Sequence, residues 1–323
     1  MPDTIGEQLT KHLTDVHSIE VQALRQLRTA PEIAGDPELA RVFSDHLEET
    51  EQQERLVRER LEARGADPSK LKDVAGRVGG AAMILFARSQ PDTPGKLTAH
   101  AFSYEHMELA AYDLLALVAD RAGDAETATL TRSIREQESA MADRLAANFD
   151  RAVQASLRAA GGDDPADRIE KYLADAHAIE AQSIELLEKA PGLAEDSELA
   201  QVLLRHLEET RSQQALVRQR LEGVGSGPSA LKDAVMRLGG LNLGGFFAAQ
   251  PDTPAKLAGF AFAFEHLEIA AYELLKRVAL EAGDEDTATI AARIADEERA
   301  AAEAVRGQFE PAVARALEAQ GVG

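Results

Sequence analysis

Two stretches of this chain combine carboxylates and imidazole at helical spacing. Residues 102–112 read FSYEHMELAAY, and residues 262–272 read FAFEHLEIAAY. Glu105 and Glu108 stand three residues apart, as do Glu265 and Glu268, so each pair shares one face of a helix. The residues around them are those of a core. Burial and mutual repulsion disfavour ionised carboxylates there, unless protons or cations supply positive charge. Divalent metal ions suit the need, because bridging carboxylates hold two cations close together.

Other residues of the right type fall on the same kind of stripe. Glu20 follows Leu9, Leu13 and Val16 at three-to-four spacing. His46 and Glu49 lie with Leu39, Val42, Phe43, Gln53 and Leu56, and Glu138 lies with Ile134, Met141 and Leu145. The expected metal ligands are therefore Glu20, His46, Glu49, Glu105, Glu108 and Glu138, with Glu180, His206, Glu209, Glu265, Glu268 and Glu298 at the matching later positions. His17 shares a side with Glu20, His106 follows Glu105, and Tyr112 stands one turn beyond Glu108. These three, with His177, His266 and Tyr272, are candidates for ligation or for holding a ligand from behind. Structural ion pairing is the alternative for the carboxylates. A core His or Tyr with a satisfied polar atom is the alternative for the rings.

Four helices must position each set. A first helix carries Glu20 and breaks at APEIAGD. Asp36 caps a second and Pro37 suits its first turn. After a crossover over 65–93, with a short Gly-containing helix expected around 70–88, Thr93 and Pro94 open a third helix that ends near Gly123. Asp124 opens a fourth, which is expected to run past Phe149. Counted from the turns, the carboxylates within each hairpin lie about one helical turn apart in depth. That leaves the slide of one hairpin against the other open. Two short-looped hairpins joined by a long crossover describe an all-α, ferritin-like four-helix bundle, with a plain bundle as the alternative.

The unit is written twice. HLEET recurs at 46–50 and 206–210, QPDTP at 90–94 and 250–254, and AGD at 122–124 and 282–284, each offset by 160. The linker AAGGDDP over 159–165 separates domains expected at 1–160 and 161–323, giving two tandem ferritin-like bundles. A formal charge of −21 argues against nucleic acid or an anionic membrane as partner. With no Cys there are no disulfides, thiolate metal sites or Fe–S clusters. The N-terminus lacks the apolar run of a signal peptide and no stretch suits a spanning helix, so the expected location is cytoplasmic.

Each half resembles the ferritin-like YciE/YciF group of bacterial stress-associated proteins. The resemblance rests on the segment ending in Glu20, on HLEET with its following Gln, on the EHxE-containing helix, and on the acidic runs EQE at 136–138 and DEE at 296–298. It implies two metal ions per repeat, iron first and manganese as the alternative. It also implies dimerisation, so that two repeats in one chain would form a pseudo-dimer. The expected function is Fe(II) oxidation by dioxygen or peroxide in stress protection. The alternative is a non-catalytic stress-related scaffold with structural metal sites or none. The chain departs from the wider ferritin-like pattern, which carries Glu-x-x-His on two helices. Three residues after Glu49, Glu138, Glu209 and Glu298 stand Gln52, Met141, Ser212 and Ala301.

Overall fold

The computed structural model describes residues 4–66, 93–161, 165–194, 197–225 and 253–322. The expected short helix around 70–88 and the glycine pairs at 79–80 and 239–240 lie outside them. The described residues are helical throughout, with no strand among them. They divide into two compact units, Met1–Ala160 with Leu317–Gly323, and Gly161–Ala316. None of the described helices is long and apolar enough to cross a membrane.

The first unit begins with α1 (Ile5–Leu27) and a single turn, α2 (Ala30–Ile33). Thr4 and Glu7 close a capping box at the start of α1, each side chain bonding the other's backbone N–H. Next comes α3 (Pro37–Ala63), where the Asp36 carboxylate accepts from the N–H groups of Glu38 and Leu39. The second hairpin is α4 (Thr93–Arg121) and α5 (Ala125–Ala147). Gly123 turns the chain between them at a φ of 66°, a conformation costly for residues with a Cβ. Asp124 then caps α5 by accepting from the Thr127 N–H at 3.0 Å.

The fourth helix ends earlier than its periodicity suggests. Asn148 donates to the Arg144 carbonyl at 2.7 Å, and a separate helix, α6 (Phe149–Ala159), follows. The break turns Phe149 inward against Phe102, with ring centroids 5.4 Å apart.

Within the unit, α1 packs on α3 and α4, and α5 packs on the same two. The helices therefore form a ring of four, a ferritin-like bundle whose axis is lined by Leu9, Leu13, Phe43, Leu115, Ile134 and Leu145. A clamp joins the two hairpins. The Arg60 guanidinium on α3 donates to both carboxylate oxygens of Asp124 at 2.6 Å and to the Thr127 hydroxyl at 2.7 Å. Arg64 reaches Asp124 at 2.7 Å and the Gly6 carbonyl at 2.8 Å.

The second unit repeats the plan with α7 (Pro165–Leu193), α8 (Glu198–Gly223), α9 (Thr253–Glu281) and α10 (Glu285–Arg306), and α11 (Phe309–Ala319) follows in the chain. Its clamp is Arg220 on Asp284 and Thr287, each at 2.6 Å.

Candidate metal centre

On α3 the buried stripe runs Leu39, Phe43, His46, Thr50, Gln53, Val57 and Leu61. The three-residue step from Phe43 to His46 is followed by a four-residue step, which brings Thr50 inward and leaves Glu49 on the flank. The His46 ring is wholly buried. On α4, Glu105 and Glu108 face inward, and on α5 Glu138 does, all three buried. One donor atom from each of His46, Glu105, Glu108 and Glu138 lies within 4.8 Å of the others. The second unit brings together His206, Glu265, Glu268 and Glu298 in the same way.

The imidazole is aimed from behind. His46 Nδ1 lies 3.2 Å from Glu49 Oε2, and its Nε2 lies 3.3 Å from Glu105 and 3.8 Å from Glu138. Glu49 is itself gripped by both terminal nitrogens of Arg144, at 2.5 and 3.3 Å. With Nδ1–H donating to Glu49, Nε2 is the atom presented to the cluster. The Thr50 hydroxyl donates to the His46 carbonyl at 2.9 Å and sits 3.4 Å from Nε2. In the second unit His206 Nε2 lies 2.8 Å from Glu265 and 3.3 Å from Glu298. There Nδ1 is 3.5 Å from Glu209, and Ala304 stands where Arg144 would be, so Glu209 is 61% exposed.

Glu20 borders the first cluster from α1. Its Oε1 accepts a short hydrogen bond from the Tyr112 hydroxyl, and Tyr272 does the same for Glu180. Tyr104 adds a bond from its hydroxyl to the Ile19 carbonyl at 2.8 Å, tying α4 to α1 beside Glu20. The second unit has Phe264 there, and instead offers Ser183, whose hydroxyl donates to Glu268 at 3.3 Å.

The electrostatics are those of a site lacking positive charge. Burial, partly offset by the Tyr112 bond, raises the Glu20 carboxyl to about 8, and Glu180 likewise stands at about 8. Burial first, and neighbouring carboxylates second, push Glu108, Glu138, Glu268 and Glu298 well above the carboxylate range. Burial, the largest single influence, opposes a charged His46, but Glu105, Glu49 and Glu138 together outweigh it and hold the ring well above the usual imidazole value. The same balance puts His206 at about 9. Glu49 falls to about 2 through its bond to His46, with Arg144 assisting against partial burial.

Several carboxylate oxygens have no hydrogen-bond partner among the described residues. Among them are Glu20 Oε2, Glu105 Oε2, both oxygens of Glu108, Glu180 Oε2 and Glu268 Oε1. Buried polar atoms are rarely left so. Hard oxygen donors beside one imidazole suit iron or manganese, so the residues present fit a metal ion.

The family profile described as "Domain of unknown function (DUF892)" matches residues 4–158 and again residues 165–318. This chain belongs to the DUF892 family. It carries two DUF892 repeats in tandem, and each contains one buried His-and-three-Glu cluster that could hold metal. No solved structure matches the chain.

Not every expected site residue joins a DUF892 cluster. Glu49 and Glu209 lie on its outer side, behind the imidazole. His17 Nε2 pairs with Glu54 at 2.9 Å on the α1–α3 seam. In the second repeat Gln214 stands at the position matching Glu54, and burial, with Arg218 nearby, lowers the pKa of His177. The Nδ1 atoms of His106 and His266 lie 2.7 Å from the carbonyls of Phe102 and Phe262, with each ring 4.4 Å from the phenyl ring. Neither belongs to a cluster. Residue type and spacing do not single out Thr50, Arg144 or Tyr104 in the sequence. Arg144 lies six residues beyond Glu138, so spacing alone does not tie it to Glu49.

Proposed function

We propose that each DUF892 repeat holds a dinuclear metal centre, with iron in it, and oxidises Fe(II) with dioxygen or peroxide in a cytoplasmic stress-protective role. Manganese is the alternative metal. The observation that carries this reading is the set of buried carboxylate oxygens around His46 and His206 that have no hydrogen-bond partner among the described residues. The likeness to the YciE/YciF group supports it from the sequence side. In the first repeat Glu105, Glu108, Glu138 and His46 Nε2 would hold the metal, with Glu20 completing the donor set. In the second the corresponding group is Glu265, Glu268, Glu298, His206 and Glu180. Iron bound there supplies one-electron transfer between Fe(II) and Fe(III).

The chain's own groups have defined parts. Arg144 and Glu49 fix the His46 tautomer. Tyr112 holds Glu20 toward the bundle axis. The cluster residues are almost wholly buried, which keeps bulk water from the reacting oxygens. With two Fe(II) ions as reductant, hydrogen peroxide would take two electrons and two protons and leave as two waters. Dioxygen would take two electrons and two protons to hydrogen peroxide, and two further Fe(II) ions would be needed to carry it on to water. The carboxyls that carry protons without metal give them up as they become ligands.

A second reading, a scaffold without turnover, is favoured by the ion pairs of His46 with Glu105 and of His206 with Glu265, which give the clusters internal partners. Metal analysis of protein purified without chelator separates the two readings, beside Glu105→Ala/Glu265→Ala. About four ions per chain, lost in the variant, with Fe(II) oxidation in the parent, supports dinuclear redox sites. Absence of binding after anaerobic Fe(II) and Mn(II) titration leaves the scaffold.

A further inference from the structure

We propose that the first repeat admits its oxidant, a small uncharged molecule, through an apolar pocket that ends on Glu105. The proposal rests on the redox reading of the cluster and adds the class of molecule and its path. The pocket has a volume of ≈ 50 Å³, room for a few water-sized molecules when about 10–15 Å³ accommodates one. Its walls are Ala23 and Leu27 of α1, Ala30 of α2, Phe43 of α3, and Leu97 and Ala101 of α4. Gln26 and His100 also line it, and at its inner end stand Tyr104 and Glu105. Glu105 is only 3% exposed, belongs to the cluster, and has an oxygen with no partner among the described residues. A molecule at the inner end of the pocket therefore meets a donor of the metal centre directly.

The chemistry of the walls selects what passes. A hydrated cation would exchange its water for Leu, Ile, Ala and Phe side chains, at high cost. An anion such as superoxide would likewise lose its hydration to these walls. A small neutral species pays neither penalty, and dioxygen and hydrogen peroxide are both of that class. The second repeat replaces Gln26, Phe43, His100 and Tyr104 by Leu186, Leu203, Phe260 and Phe264, so the same lining is not reproduced there.

The test uses the full chain with Glu265→Ala/Glu268→Ala to silence the second cluster, and compares it with Ala101→Phe and His100→Phe added singly. His100→Phe copies the residue that the second repeat carries at the matching position. Xenon-pressurised crystals of the parent are expected to show xenon beside Leu97 and Ala101, and those of Ala101→Phe to show none. Anaerobic Fe(II) stoichiometry should be equal in all three proteins. The second-order rate constant for oxidation should fall about tenfold or more in Ala101→Phe, because access then requires the helices to part. His100→Phe should slow it in the same direction. Separate runs with dioxygen and with hydrogen peroxide identify which of the two uses the path. Unchanged rates in both variants with Fe(II) bound, or xenon absent from the parent, overturn the path while leaving the redox reading in place. A parent that binds no Fe(II), or binds it without oxidation, overturns the redox reading and the path with it.

Discussion

Metal binding to this protein should release protons, and the number follows from the burial of the clusters. Without metal, Glu20 and Glu180 titrate at about 8, while Glu108, Glu138, Glu268 and Glu298 lie well above the carboxylate range through desolvation. His46 and His206 are also raised, by Glu105 and Glu265 acting against burial. At neutral pH these groups hold protons, and a metal ligand must shed its own. The sign is fixed on both sides. A carboxyl whose folded pKa exceeds its unfolded value of 4.5 stabilises the metal-free fold below that value and withdraws the contribution as pH rises toward about 8. A raised His acts in the same direction from 6.5 upward. Metal-free protein should therefore melt at lower temperature as pH goes from 5 to 8, by about 1.4 kcal/mol per pH unit for each proton retained by the fold. Affinity should move the opposite way, about tenfold per pH unit for each proton displaced. With two or more displaced per repeat, Mn(II) should bind about 100-fold more tightly at pH 7 than at pH 6. Calorimetric titration with Mn(II), in buffers of different ionisation enthalpy, counts the protons directly. Fewer than one proton per repeat, with a pH-independent affinity, would refute the reasoning that desolvation keeps these carboxyls neutral.

Three further outcomes follow from the contacts. Arg144→Ala removes the grip on Glu49, so it should weaken Mn(II) binding in the first repeat about tenfold while leaving the number of ions bound unchanged, as calorimetry would show. Tyr112→Phe removes the hydrogen bond that Glu20 accepts from the Tyr112 hydroxyl, and should cost metal-free protein about 1–3 kcal/mol in urea unfolding, with a smaller loss once metal is bound. Arg60→Ala breaks the clamp on Asp124 and Thr127. It should destabilise the first repeat by about 2 kcal/mol, read as a shift in the urea midpoint at unchanged slope.

Much of this protein can be read from its residues in order. The 160-residue offset, the three-to-four spacing of apolar residues and the caps at Asp36 and Asp124 determine two helical repeats, because a helix repeats its faces at fixed intervals. The same intervals place Glu105 and Glu108 together and turn them toward a core. Tertiary structure decided what spacing along one helix cannot. On α3, three-residue and four-residue steps from His46 are both compatible with one face, and packing against α1 and α5 chose Thr50 for the inside and Glu49 for the flank. That choice made Glu49 an anchor for the imidazole, reached by an arginine that comes from another helix. The relative slide of the two hairpins was likewise open in the sequence. The side chains of Arg60 and Asp124, more than sixty positions apart, settle it with charge-assisted hydrogen bonds, and so bring the carboxylates of α4 and α5 to the depth of His46.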